Sequence, residues 1–338
     1  MDLRAEPVAV TTAFVDSFGR QHRDLRVSLI DKCNLRCTYC MPSEQMQWMP
    51  SADLLSADEF VRVIGVAVAN GVTEVRLTGG EPLLRPDIVE IVERIASLPG
   101  APSVAITTNG IRLAKTIDAL VAAGLQRINI SIDTLDAQTF TQLTRRNELH
   151  AVIDGIEATI ASGIRPIKLN AVLMRGINAA EAPLLLNWAI ERNLELRFIE
   201  EMPLSVGGNW SAAAYVTTSD TINILRSQFQ LRELARDVHS PAFLMEVVGT
   251  GATVGFISSI SRPFCGGCDR LRLTADGQFR NCLFGRDEHD LRTLLRSGAD
   301  DAALLQRMLA CVAAKKAGHG TDDLRLLEPS RSMHAIGG

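Results

Sequence analysis

The run LRVSLIDKCNLRCTYCMP, residues 25–42, decides how this chain is read. Its first six residues set apolar side chains against Arg26 and Ser28, the pattern of a strand. Cys33, Cys37 and Cys40 follow at once, spaced C-x3-C-x2-C. Three thiolates this close fit a [4Fe-4S] cluster with one iron left open to an outside ligand. A structural zinc site wants four ligands, and no histidine lies near to complete it. The residues alone favour iron–sulfur chemistry and leave zinc open.

Beyond the cysteines, strand-like stretches recur at 72–77, 104–107, 127–132, 167–173 and 194–199. Helical stretches near 56–70, 86–97, 112–123, 149–162 and 180–192 separate them, the first opened by a Ser56/Glu59 capping box. This repetition predicts a parallel sheet covered by helices. About six β–α units fit, fewer than a closed eight-stranded barrel needs, so the predicted α/β fold is a partial (βα)6 barrel over 1–203. After Pro203 the pattern changes. A loop at 207–209, a helix from Thr218, strands near 243–248 and 253–259, and a hairpin over 271–283 follow. Helices near 287–296 and 299–314 complete a smaller α+β domain over 204–338.

Functional groups of parallel α/β folds collect at the carboxyl ends of strands. The first cysteine triplet, the GGEP run at 79–82, Asn109, Ser131, Asp133 and Glu200 all fall there, so one cavity should receive them. A second triplet, Cys265, Cys268 and Cys282, is spaced C-x2-C-x13-C around PFCGGCDRLRLTADG, residues 263–277. An open iron fits again, and so does zinc with a remote fourth ligand. Arg270 and Arg272 alternate with leucines there, which suits a solvated hairpin face unless the neighbouring cysteines hold an anion site.

The 338 residues carry a formal net charge of -4, so nucleic acid is not an expected partner and any anion site must be a local basic cluster. No apolar run is long enough to span a bilayer, and the first residues lack the order of a signal peptide. Six of the seven cysteines fall into the two triplets, which reads as metal ligands in a reducing cytoplasm. Cys311 sits alone in an apolar helical stretch as an inert thiol. None of the six histidines lies in a cluster motif, so they are assigned to surface or core. No P-loop motif is present.

The first triplet followed by GGEP resembles the radical S-adenosylmethionine (SAM) superfamily. With the second triplet, the chain is similar to the GTP 3′,8-cyclase family, which opens molybdenum cofactor biosynthesis. The likeness runs from about residue 18 to 338 through FGR, RDLRVS, CMP, RLTGGEPLLR, TTNG, RINISID, IKLN, RFIEEMP and the terminal GG. It implies two [4Fe-4S] clusters and SAM as cofactors. In that family the first cluster cleaves SAM to a 5′-deoxyadenosyl radical, which takes hydrogen from ribose C3′ of GTP before closure onto guanine C8. The resemblance assigns SAM contacts to Tyr39, Gly80, Ser131 and Met202. It assigns GTP to Arg26, Arg76, Thr107, Lys168, Arg270 and Arg272, with guanine on the second open iron. Arg270, Arg272, Gly337 and Gly338 carry over as catalytic, the two glycines as an ordered tail entering the site. The implied class is a lyase, the implied downstream partner is cyclic pyranopterin monophosphate synthase, and there is room for a homodimer. Two other readings stand beside it. One is a radical SAM peptide-modifying enzyme with an auxiliary cluster, and the other is a structural or interaction protein holding zinc at both triplets.

Overall fold

Alternation along the strands fixes which way the sheet faces. The computed structural model describes residues 13–41, 43–204, 210–211, 213–237, 239–319 and 331–337. Six parallel strands form in order: β1 Asp24–Ser28, β2 Glu74–Thr78, β3 Ser103–Thr108, β4 Arg127–Ser131, β5 Ile167–Val172 and β6 Glu195–Ile199. Their apolar positions, such as Val27, Leu77, Ile106, Ile130, Leu169 and Phe198, are buried in the hydrophobic core. That core includes the helices α1 Ala57–Ala69, α2 Ile88–Ala96, α3 Leu113–Ala122, α4 Ala137–Thr144, α5 Leu149–Ala161 and α6 Ala182–Glu191. The alternate positions point to the opposite face and are mostly polar, with Ala105, Val172 and Ile199 the apolar exceptions. Residues of one face align across strands, so Arg26 pairs with Arg76, Thr107 with Asn129, and Asn129 with Lys168.

The six predicted strands agree with the observed ones to within about two residues, the usual uncertainty of an element's ends. α1 carries the expected capping box, Ser56 accepting from the Glu59 amide and Glu59 from the Ser56 amide. Helix α4 escaped the sequence pattern because only Phe140, Leu143 and Thr144 of its eight residues are buried. Asp136 caps it, accepting from the Thr139 amide at 2.7 Å.

The later segment adds α7 Thr218–Leu225, β7 Leu231–Glu233, β8 Phe243–Val247, β9 Ala252–Ile257, β10 Arg270–Leu273, β11 Gln278–Arg280, β12 His289–Asp290, α8 Arg292–Arg296, α9 Asp301–Ala313 and α10 Met333–Ile336. Its strands continue the barrel sheet at both edges. β10 pairs parallel with β1, and β9 pairs parallel with β6. The mixed sheet therefore has twelve strands, in the order β12-β11-β10-β1-β2-β3-β4-β5-β6-β9-β8-β7, and stays open. The predicted hairpin forms as β10 and β11, with Gly277 in its turn at φ +82°. The predicted helix over 287–296 is shorter, because residues 289–290 pair with β11 instead. The loop expected at 207–209 lies outside the described residues. Among the described residues no helix is long and apolar enough to cross a membrane.

Candidate active site

The first cysteine loop is held at its root, its middle and its end. At the root, Gly80 N donates to the Ile30 carbonyl at 2.6 Å and Glu81 N to the Lys32 carbonyl at 2.8 Å. A Cβ on Gly80 would lie 2.3 Å from the Lys32 oxygen, and Gly79 takes φ +155°. These glycines are therefore needed where two backbones meet, and both also line the first cavity. In the middle, the Arg36 and Thr38 amides donate to the carbonyls of Thr144 and Leu143 at the end of α4, both at 2.9 Å. At the end, His334 of α10 sits beside Cys40 and meets Trp48 edge-on at 5.9 Å.

Glu81 binds the strand ends together. Its buried carboxylate accepts from Thr108 Oγ1 and the Asn109 amide at 2.7 Å and from the Leu83 amide at 2.9 Å. Asn109 in turn lies 3.9 Å from the Cys33 sulfur. Tyr39 donates to Asp133 Oδ2 at 2.7 Å, and the Val172 amide donates to Oδ1 at 2.8 Å. Burial pushes the Asp133 carboxyl up to about 6 despite those bonds. A cavity of about 230 Å³ lies here, lined by the three cysteines and by Tyr39, Gly80, Ser131 and Met202. Asn109 and Asp133 line it too, but Glu200 does not. Glu200 spends its carboxylate on the amides of Thr218, Ile260 and Ser261 at 2.8 to 3.0 Å, which latch the end of β6 to the later segment.

A second cavity of about 360 Å³ holds Cys265, Cys268 and Cys282. Arg26, Arg76, Thr107, Lys168, Arg270 and Arg272 all line it. Arg272, Arg26 and Arg76 form one row across β10, β1 and β2. Seven basic side chains line the cavity against four acidic ones, so it is locally positive in a net-acidic chain. Burial, then Arg270, depresses Arg26 far below the usual guanidinium range, and burial with Arg197 brings Lys168 down to about 8. Asp24 is a weak counter-ion, 3.8 Å from Arg26 and 4.0 Å from Arg270. Buried Arg26 Nε, Arg76 Nε and Nη1, and Arg270 Nη2 have no hydrogen-bond partner. Unpaired buried donors of this number call for an anion with several oxygens. The hairpin arginines thus face inward, because β10 joins the barrel sheet instead of standing in solvent.

The two cavities share Thr107, Asn170, Ile199, Met202 and Met333 in their walls. The tail also joins them. Gly337 is buried at φ +88°, and Arg272 Nη1 donates to its carbonyl. Gly338 lies outside the described residues. Sequence reading missed Arg127 and Arg197, which also line the second cavity. Their alternation with Ile128 and Leu196 on the strands was the available signal. It also missed His334, assigned there to core or surface, because only the folded tail brings it to Cys40.

Residues 27–189 match the radical SAM superfamily, and residues 194–321 match Molybdenum Cofactor Synthesis C. A GTP 3′,8-cyclase of Streptomyces coelicolor is 50% identical over 327 residues, covering 96% of both chains. The chain belongs to the GTP 3′,8-cyclase family. A second cyclase, from Paenarthrobacter nicotinovorans, is 47% identical over 353 residues and 99% of both chains. Streptococcus suis SuiB bound to S-adenosylmethionine shares the fold, with a TM-score of 0.59 at 15% identity over 85% of this chain and 68% of that one. The match of the later segment favours the cyclase family over the peptide-modifying reading.

The cofactors of a radical SAM cyclase are SAM and two [4Fe-4S] clusters, and both triplets fit. Burial pushes Cys33 up to about 11 and Cys40 up to about 12, so three bare thiolates would be unstable without a cationic core between them. Among the described residues no three His, Cys, Asp or Glu side chains are placed to share one ion, as mononuclear zinc requires. Cys268 differs from these. Burial would raise it, yet Lys315 and Arg270 hold it below the ordinary thiol range. Cys311 is buried, with no part in either cavity.

Proposed function

We infer that this chain converts GTP to (8S)-3′,8-cyclo-7,8-dihydroguanosine 5′-triphosphate, a radical SAM lyase reaction that begins molybdenum cofactor biosynthesis. The observation that carries the reading is the shared wall. A cysteine triplet fitted for SAM and a cysteine triplet set among buried arginines open onto the same five residues. When bound, the first cluster and SAM supply hydrogen-atom abstraction, and the second cluster supplies an anchor for the guanine base. The protein supplies position and charge. Arg26, Arg76, Arg270 and Arg272, with Lys168, bind the triphosphate through guanidinium forks and an ammonium. Tyr39, Gly80, Ser131 and Met202 orient SAM in the first cavity. Helices packed on the apolar strand faces back one side of the open sheet, which limits the water and stray hydrogen donors that reach the reacting carbon. Gly337 brings side-chain-free backbone to the same centre.

We place the domain division at 203/204, where the β–α repeats end, with the cysteines of the first cluster before it and those of the second, substrate-binding cluster after it. The labile product passes to cyclic pyranopterin monophosphate synthase. The test is anaerobic incubation of reconstituted protein with GTP, SAM and dithionite. Cyclised nucleotide should form in step with SAM cleavage, and SAM cleavage that leaves GTP unchanged would refute the reading.

A further inference from the structure

We propose that Lys315 is the positioning residue of the second cysteine site: its one ammonium fixes Cys268, Arg270 and Cys282 relative to each other and lays a positive charge against the Cys268 sulfur. The inference rests on reading that triplet as cluster ligands. Lys315 Nζ lies 3.7 Å from Cys268 Sγ, 2.9 Å from the Arg270 carbonyl and 2.6 Å from the Asn281 carbonyl. An ammonium has three donors, and each is directed to a different part of the site. One meets a cysteine ligand. One meets the backbone of a phosphate-binding arginine. One meets the residue that precedes Cys282.

A buried lysine needs a reason. Lys315 is 6% exposed, and among the described residues no carboxylate pairs with it. Burying an unpaired ammonium costs several kcal/mol, which two carbonyls and a neutral thiol offset poorly. A thiolate carrying a cluster offsets it far better. Placement favours the charge further, since Lys315 follows the end of α9 and its amide donates to Val312 O at 3.0 Å. Asn281 adds a second tie to the same helix, donating from Nδ2 to the Cys311 carbonyl at 2.7 Å. From the other side Arg20 donates to the Cys265 carbonyl at 2.7 Å, so each cysteine of the set has its own restraint.

Net charge and hydrogen bonds at the sulfurs set the potential of an iron–sulfur centre. A lysine against one sulfur stabilises the reduced form. The experiment uses full-length chain with Cys33, Cys37 and Cys40 changed to alanine, so that iron reports the second site alone. After anaerobic reconstitution, iron content, the midpoint potential from an EPR-monitored dithionite titration, and GTP affinity are compared for this parent, Lys315→Met and Lys315→Arg. Lys315→Met should keep iron, shift to a more negative potential and bind GTP several-fold more weakly. Lys315→Arg should recover the parental potential. Iron lost in Lys315→Met but kept in Lys315→Arg also supports the assignment. An unchanged potential in Lys315→Met, or equal iron loss in both variants, overturns it. A parent that binds no iron overturns the cluster reading itself, and the inference with it.

Discussion

Arg272 reaches from β10 to the carbonyl of Gly337, four residues after the start of α10, and so ties the chain's tail to the arginine row. The contact joins residues 65 positions apart. It also places Gly337 over the strand ends of the first site, because a Cβ there would lie 2.9 Å from Ser28 Cβ and 3.3 Å from Thr78 Oγ1. Ser28 and Thr78 are themselves paired across β1 and β2. The same short helix carries His334 to Cys40, so the tail touches both cysteine sites at once.

Gly337→Ala should therefore reduce cyclisation at least tenfold. The substitution faces a left-handed backbone angle and a filled space together. Iron content and SAM binding should change little, since the cysteine loop has other restraints. Product formed per SAM cleaved, measured anaerobically, is the deciding quantity. A variant that cyclises like the parent would make the tail's placement irrelevant to the chemistry.

Removing Cys33, Cys37 and Cys40 together should halve the iron, from about eight per chain to about four, two clusters' worth to one. SAM cleavage should vanish while GTP still binds, because the arginine row belongs to the other cavity. Iron analysis and calorimetric GTP titration on one preparation check both halves of the statement. Full iron retention would show that the triplets are not separate sites.

Local pattern made the barrel legible. Residues 127–131, RINIS, alternate polar and apolar, and the structure turns each polar side chain to the cavity face as that alternation requires. The triplets were legible for the same reason, since their ligands lie close in sequence. What escaped depends on contacts between distant segments. Lys315 reads as one of two lysines after a helix, and only packing onto β10 brings it to Cys268. Arg270 and Arg272 alternate with leucines as a solvated face would, and only the neighbouring cysteines and the family likeness assigned them to GTP, because nothing local says that β10 will pair with β1. Glu200 read as a cavity carboxylate, and its amide partners lie up to 61 residues away.

His22 predicts how the cluster-free chain responds to acid. Burial first, then the nearby Lys315, brings its imidazole down to about 4, although it bonds Asp16 at 3.0 Å. The unfolded chain binds a proton near 6.5, so between pH 6.5 and 4 it holds more protons than the folded one. Stability is therefore complete above pH 6.5 and falls toward pH 4, by roughly 3 kcal/mol from this group. Asp16 contributes in a separate window, because burial raises its carboxyl but hydrogen bonds from Arg20, Phe18 and His22 together hold it down to about 2. Urea midpoints at pH 7 and 5 should differ in the parent and differ less in His22→Gln. Equal pH dependence in the two chains would assign the effect elsewhere.

The arginine row should separate phosphate from base. Arg76→Ala removes two buried donors that have no protein partner, so little of the fold depends on them. Arg272→Ala also removes the tie to Gly337, so it should lower cyclisation as well as binding. Each substitution should weaken GTP binding by roughly 1.5–3 kcal/mol, the range for a hydrogen bond to a charged group. Guanosine lacks the phosphates and should lose far less. Because the row is shared by β10, β1 and β2, the double variant should lose less than the sum of the singles, the sign of side chains acting on one ligand. Calorimetry with GTP and guanosine on each variant gives both comparisons. Equal losses for the two ligands would mean that the arginines shape the cavity and do not bind phosphate.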